Sequence, residues 1–133
     1  MTETPTPAIE VVAGVIRDAR GRVLLARRTE GRDLAGLWEF PGGKREPGET
    51  GEQALAREIR EELGCEADIG ALLLTTEHAY PEVHVRLEFF AVTLRDEPEP
   101  QLGQAMRWVP RRELASLPLP EADADLVTLL TTR

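Results

Sequence analysis

An α+β fold, in which a mixed sheet is packed between helices, is predicted by three features of the sequence. Strand-like apolar runs occupy residues 9–16 and 23–28. A helical period with its own start and stop residues lies between Thr50 and Gly64. Further strand patterns at 69–76, 83–94 and 106–109 then precede a last amphipathic helix at 122–130. Elements in that order bury their apolar faces by layering helices on a sheet. A chain of 133 residues suits one core, so residues 8–133 are read as a single domain behind a disordered tail at 1–7.

Residues 9–16 are almost continuously apolar, the pattern of a strand covered on both faces. Gly14, within that run, serves either the close approach of another backbone or ligand, or a bulge. Asp18-Ala19-Arg20-Gly21 is turn chemistry, so the strand at 23–28 is expected to return beside the first as a hairpin. Arg27 and Arg28 close it and point to opposite faces. Residues 29–36 form a polar, Gly-rich loop suited to border a pocket. Trp38 and Phe40 flank Glu39 just before two glycines, and read as core aromatics or, for Phe40, as the lining of an apolar pocket.

The central helix is the most explicit element. Thr50 and Gln53 have the spacing of a capping box, which starts the helix just after Thr50. Gly64 is placed to end it in a left-handed cap. Leu55, Ile59 and Leu63 recur every four residues and predict its buried stripe. Off the stripe lie Arg57, Glu58, Glu61 and Glu62. Glu58 is three residues from Glu61 and four from Glu62, so their carboxylates project toward a common region. Each like-charged pair at that spacing costs roughly 0.2–0.5 kcal/mol. A divalent metal reverses the sign of that term, and Mg²⁺ favours hard carboxylate oxygens while keeping positions open for water and phosphate. The plainer alternative is a solvated acidic face.

Beyond the helix, residues 69–76 read as a strand and Tyr80-Pro81-Glu82 as a connection. Val83, Val85, Leu87 and Phe89 alternate with His84, Arg86 and Glu88, which predicts a half-buried strand running on through Leu94. His84 reads as a solvated side chain on the polar face, with a proton shuttle as the sharper alternative. An acidic loop with two prolines covers 96–104 and a short strand covers 106–109. Pro110 opens a helical turn, and Leu117-Pro118-Leu119-Pro120 separates it from the last helix.

Composition bounds the function. The net charge is −8, and no Lys/Arg cluster has the density of a groove for nucleic-acid polymers. An acidic protein still binds a polyphosphate when metal ions bridge carboxylates to phosphate oxygens, so a small nucleotide is the favoured partner. Hydrophobic residues make up 41%, enough for a core, yet the apolar runs are far shorter than the roughly 20 residues of a membrane span. The N-terminus lacks the pattern of a signal peptide. Cys65 is the single cysteine and reads as a small buried residue behind the helix cap. Together these features predict a cytoplasmic protein, monomeric or homodimeric, without a membrane partner.

The spacing from Gly43 to Cys65 carries a more specific message. It runs Gly43, five residues, Glu49, seven residues, Arg57-Glu58-Ile59, one residue, Glu61-Glu62, one residue, Gly64-Cys65. This resembles the Nudix box at every defining position. The resemblance extends through Leu37-Trp38-Glu39-Phe40-Pro41 and the first two strands, is weaker after Leu72, and is greatest to MutT-type and cytidine-type members of the family. It implies the Nudix α/β/α sandwich with a mixed central sheet. It also implies metal-dependent hydrolysis of a nucleoside triphosphate, 8-oxo-dGTP or cytidine-type, to monophosphate and pyrophosphate, as in nucleotide-pool sanitation that supports DNA repair.

On that resemblance Glu58, Glu61, Glu62 and the Gly42 carbonyl hold Mg²⁺ or Mn²⁺. One glutamate acts as general base; the choice stays open between the box and a later loop, and Glu58 is named for it. Arg57 orients Glu58 and the metal shell, while Glu49 pairs with Arg57 and pins the loop to the helix. Gly43 and Gly64 are structural. Arg28, Phe40 and Asp123 contact the nucleotide, Asp123 lying in Pro120-Glu121-Ala122-Asp123, the segment that reads the base. Asp123 reads equally as a helix-start residue favoured by the helix dipole. Two positions depart from the MutT pattern. Leu102 stands where a loop glutamate is usual, with Glu99 three residues earlier as a substitute, and Val83 stands where an arginine contacts the nucleotide, a role Arg86 is placed to take over. Two other readings compete: hydrolysis of another nucleoside diphosphate derivative such as ADP-ribose or a dinucleoside polyphosphate, and a catalytically silent nucleotide-sensing module.

Overall fold

The computed structural model describes residues 8–27 and 36–132. The tail at 1–7, Arg28 and residues 29–35 of the loop that follows lie outside the described residues. The elements are β1 (Ala8–Ile16), β2 (Val23–Arg27), β3 (Trp38–Glu39), β4 (Gly42–Lys44), α1 (Gly51–Leu63), β5 (Ala67–Ala79), β6 (His84–Leu94), β7 (Met106–Val109) and α2 (Ala124–Thr131). Short 3-10 turns at Arg111–Ser116 and Glu121–Asp123 lead into α2.

The strands form two sheets, β4-β1-β6-β5 and β3-β2-β7. β1 and β6 run parallel from Ala8↔His84 to Ile16↔Val92, while β4 and β5 are antiparallel additions, so the larger sheet is mixed. The expected hairpin between β1 and β2 does not form. Its turn does: the Asp18 carboxylate accepts from the amides of Arg20 at 2.9 Å and Arg22 at 2.8 Å. Pairing then stops at one bridge, Arg17↔Val23. Both edges of β1 are already occupied, by β4 and β6, so β2 diverges to build the second sheet with β3 and β7.

The continuous apolar run of β1 now has its reason. Ala13 and Val15 face one core, whereas Val12 and Ile16 face the other, with the period of two that a strand imposes. α1 covers the second core through Ala54, Leu55, Ile59 and Leu63, and α2 covers the first through Leu126 and Leu130. The result is a helix–sheet–helix sandwich. Leu55, Ile59 and Leu63 are wholly buried, and each contributes about 1.5–3 kcal/mol of hydrophobic stabilisation.

Local chemistry fixes both ends of α1. The Thr50 hydroxyl accepts from the Gln53 amide at 3.1 Å, and the Gln53 side chain accepts from the Thr50 amide at 2.9 Å. Gly64 adopts φ 65°, which favours glycine, and its amide donates to the Arg60 carbonyl at 3.0 Å. Gly14 belongs to no bulge, since the β1–β6 register runs through it unbroken; it admits a neighbour, because an added Cβ would stand 3.0 Å from Val92 Cγ2. β5 is longer than the expected 69–76, and its register shifts near Leu72 fall on an edge with no outer strand among the described residues.

Candidate active site

Arg57 is the hub from which the site is built. From the second turn of α1 it reaches back to the loop after β4, donating through Nε and Nη2 to the two Glu49 oxygens at 2.8 and 3.0 Å. Nη2 also donates to the Lys44 carbonyl at 3.0 Å, and Nη1 to Glu58 at 3.0 Å and Glu61 at 3.3 Å. Glu49 accepts from the Glu46 amide as well, at 2.9 Å. The bidentate Arg57 contact holds the Glu49 carboxyl down to about 2, and the same contact pushes Arg57 further up.

Glu58 sits against the glycine pair. A Cβ on Gly43 would fall 2.5–2.7 Å from its carboxylate, so only glycine leaves room for that side chain. Burial pushes the Glu58 carboxyl up, and the Arg57 guanidinium partly opposes the shift. Glu62 accepts from the Gly42 amide at 3.0 Å. Glu61, with 58% of its side chain exposed, faces solvent beside Arg57. The sequence reading of the like-charge cost is therefore incomplete: Arg57 lies between Glu58 and Glu61 and offsets part of it. Among the described residues, no three acidic, histidine or cysteine side chains are gathered into a ready metal cage. The donors present are nonetheless hard carboxylate oxygens on one helix beside the glycine backbone of β4, a set suited to Mg²⁺ or Mn²⁺.

Glu58, Glu62, Gly42 and Gly43 line a cleft of about 1620 Å³. Phe40, Ala122 and Asp123 line the same cleft, so residues 80 positions apart in the chain share one space. Phe40 is both core and lining: it is 4% exposed and packs edge-on against Phe89, with ring centroids 5.9 Å apart. Asp123 is buried at the start of α2 but makes no capping hydrogen bond there with its side chain.

Other expected residues are placed differently. Val83 and Leu102 line the cleft and Arg86 does not; in register, Arg86 stands between Glu10 on β1 and Glu77 on β5. His84 also stays off the cleft, with Nε2 3.5 Å from Glu77. Tyr80, Pro81 and Glu82, read only as a connection, contribute to the cleft wall. Gln104 escaped the sequence reading altogether. Its amide Nε2 donates to the Glu62 carbonyl at 3.0 Å, and its Oε1 accepts from the Leu102 amide at 2.9 Å. A glutamine after a loop glycine carries no pattern that would have announced this.

Comparisons with known proteins agree with this architecture. Residues 12–129 match the NUDIX domain. The chain is 40% identical over 120 residues to the 8-oxo-dGTP diphosphatase of Haemophilus influenzae, covering 90% of this chain and 88% of that protein. It is equally similar, at 40% identity and the same coverages, to the CTP pyrophosphohydrolase of Escherichia coli. The solution structure of the E. coli ORF135 protein superposes with a TM-score of 0.85 at 38% identity, covering 96% of this chain and 91% of that one. The crystal structure of the MutT protein from Methanosarcina mazei Go1 gives 0.79 at 27% identity, over 98% and 97%. With the sandwich, the glycine–glutamate box and these relatives in agreement, the chain belongs to the Nudix hydrolase family.

Proposed function

We propose that this Nudix hydrolase cleaves a nucleoside triphosphate with water to give a nucleoside monophosphate and pyrophosphate, and that its role is nucleotide-pool sanitation. The observation that carries the reading is the single cleft that joins the box carboxylates Glu58 and Glu62 to Phe40 and Asp123. One part suits a phosphate chain and the other a base. Glu58, Glu61, Glu62 and the Gly42 carbonyl would hold the divalent ion, Mg²⁺ or Mn²⁺. When bound, such an ion neutralises phosphate oxygens and makes a coordinated water more acidic. Glu58 is the candidate proton acceptor, because burial raises its affinity for a proton in the direction that task requires. Arg57 keeps Glu58 in place and resists full protonation.

For the base, relatives of equal similarity act on 8-oxo-dGTP and on CTP by name. An ionised Asp123 only accepts and so suits a base edge that donates, such as the cytosine amino group, whereas a protonated Asp123 also donates and suits an oxidised purine. Asp123→Asn then alters the hydrogen-bond code with little change in shape. It is expected to shift the ratio of kcat/KM among purine and pyrimidine triphosphates at least tenfold, about 1.4 kcal/mol or more, with metal dependence unaltered. Equal loss for every nucleotide, or none, assigns base recognition to other residues of the cleft.

A further inference from the structure

We propose that Gln104 is a positioning residue for the hydrolytic reaction: it ties the loop at the cleft rim to Glu62 and so fixes where the Glu62 carboxylate stands. The inference rests on the metal-binding role given to Glu62 above. Gln104 is 8% exposed, and both ends of its amide are engaged. Nε2 donates to the Glu62 carbonyl and Oε1 accepts from the amide of Leu102, a residue on the cleft wall. The Glu62 carbonyl takes a second donor from the same loop, the Gln101 amide at 3.0 Å, and the neighbouring Leu63 carbonyl accepts from the Glu99 amide at 2.8 Å.

These contacts fall on the last turn of α1, where helical carbonyls have no partner within the helix. A purely structural cap would end the matter there. Glu62 differs from an ordinary last-turn residue because its side chain leaves the same backbone to accept from the Gly42 amide at 3.0 Å, on the floor of the cleft. Gln104 thus joins two groups by direct hydrogen bonds, the Leu102 amide and the Glu62 backbone, and through the Glu62 side chain is linked to the glycine backbone at 42. The glutamine is not among the residues that line the cleft, and its Oε1 accepts from the Leu102 amide. Its effect must pass through Glu62. Partners of this kind, once removed, cost about 10–100-fold in metal affinity or activity.

Gln104→Met keeps the length of the side chain and removes both hydrogen bonds. The test measures Mn²⁺ binding to the substrate-free protein by electron paramagnetic resonance, alongside the Mg²⁺ concentration for half-maximal turnover. Gln104→Met is expected to weaken Mn²⁺ binding about tenfold and to raise the Mg²⁺ requirement by a similar factor, with kcat recovering toward wild type at high Mg²⁺. Gln101→Ala keeps its backbone donor to Glu62 and is expected to leave both quantities unchanged. Should Gln104→Met fail to fold, Gln104→Asn, one methylene shorter and unable to span both partners, is expected to show an intermediate loss. Mn²⁺ affinity unchanged in a folded Gln104 variant, with only a lower Tm, would overturn the proposal and leave Gln104 as a helix cap. Absence of Mn²⁺ binding in the wild type would instead overturn the metal-binding role of Glu62, and this inference with it.

Discussion

Glu58 stands under two opposed influences. Burial raises its carboxyl above the usual 4.5, while Arg57 at 3.0 Å favours the ionised form, and burial prevails. A carboxylate whose folded value exceeds its unfolded one lowers stability as pH rises through that range, because the unfolded chain gives up its proton first. The ionised Glu58 therefore destabilises the metal-free protein at neutral pH. Glu58→Gln removes that charge but retains an oxygen for Arg57. It is expected to lose about 10²–10⁴-fold in kcat, yet in EDTA at pH 7 to melt no lower than wild type, the difference disappearing below about pH 4.5. Melting curves at both pH values together with turnover check this. A clear drop in Tm at pH 7 would show that the Arg57 contact outweighs burial. The residue types at this site were legible from the box spacing, but the sign of the balance was not, since it depends on how deeply α1 sets the side chain against Gly43.

At the scale of elements, the paired glycines of β4 divide two tasks. A Cβ on Gly42 would run into the Val12 carbonyl oxygen and lie 2.7 Å from Ala13 Cα, both backbone atoms of the paired strand β1. The nearest atoms to a Cβ on Gly43 would instead be those at the end of the Glu58 side chain. Gly42→Ala is expected to cost about 1–3 kcal/mol in denaturant unfolding, because β1 cannot yield without loss of its ladder. Gly43→Ala is expected to cost less in stability but most of the activity, since the Glu58 carboxyl moves aside. Comparable destabilisation by both would contradict this division. α1 was readable from Thr50 to Gly64 because its caps and stripe are local. The β1–β2 hairpin was misread for the opposite reason: the turn at Asp18 is local, but whether the strands stay paired was decided by β4 and β6, which arrive later in the chain. Gln104 was invisible on the same ground, its partner being 42 positions away.

The molecule as a whole places chemistry where its two cores meet. β1 lies between the cores, α1 carries the carboxylates on one face, and α2 brings Asp123 from the other. The protein carries a net charge of −8, and glutamates line one part of its cleft. No helix among the described residues is long and apolar enough to cross a membrane. The family was legible because the box is a contiguous pattern, whereas the cleft is assembled from segments that only the fold brings together, Phe40 with Ala122 and Val83 with Leu102.

The proposed reaction is a metal-dependent attack that separates pyrophosphate from a nucleoside monophosphate. It is tested most directly by incubating the wild-type protein with a panel of nucleoside triphosphates, 8-oxo-dGTP and CTP included, with Mg²⁺ or with EDTA, and resolving all phosphorus-containing products. Monophosphate and pyrophosphate are expected in equal amounts, with Mg²⁺ only. Diphosphate with inorganic phosphate, turnover that persists in EDTA, or no turnover of any triphosphate would contradict it.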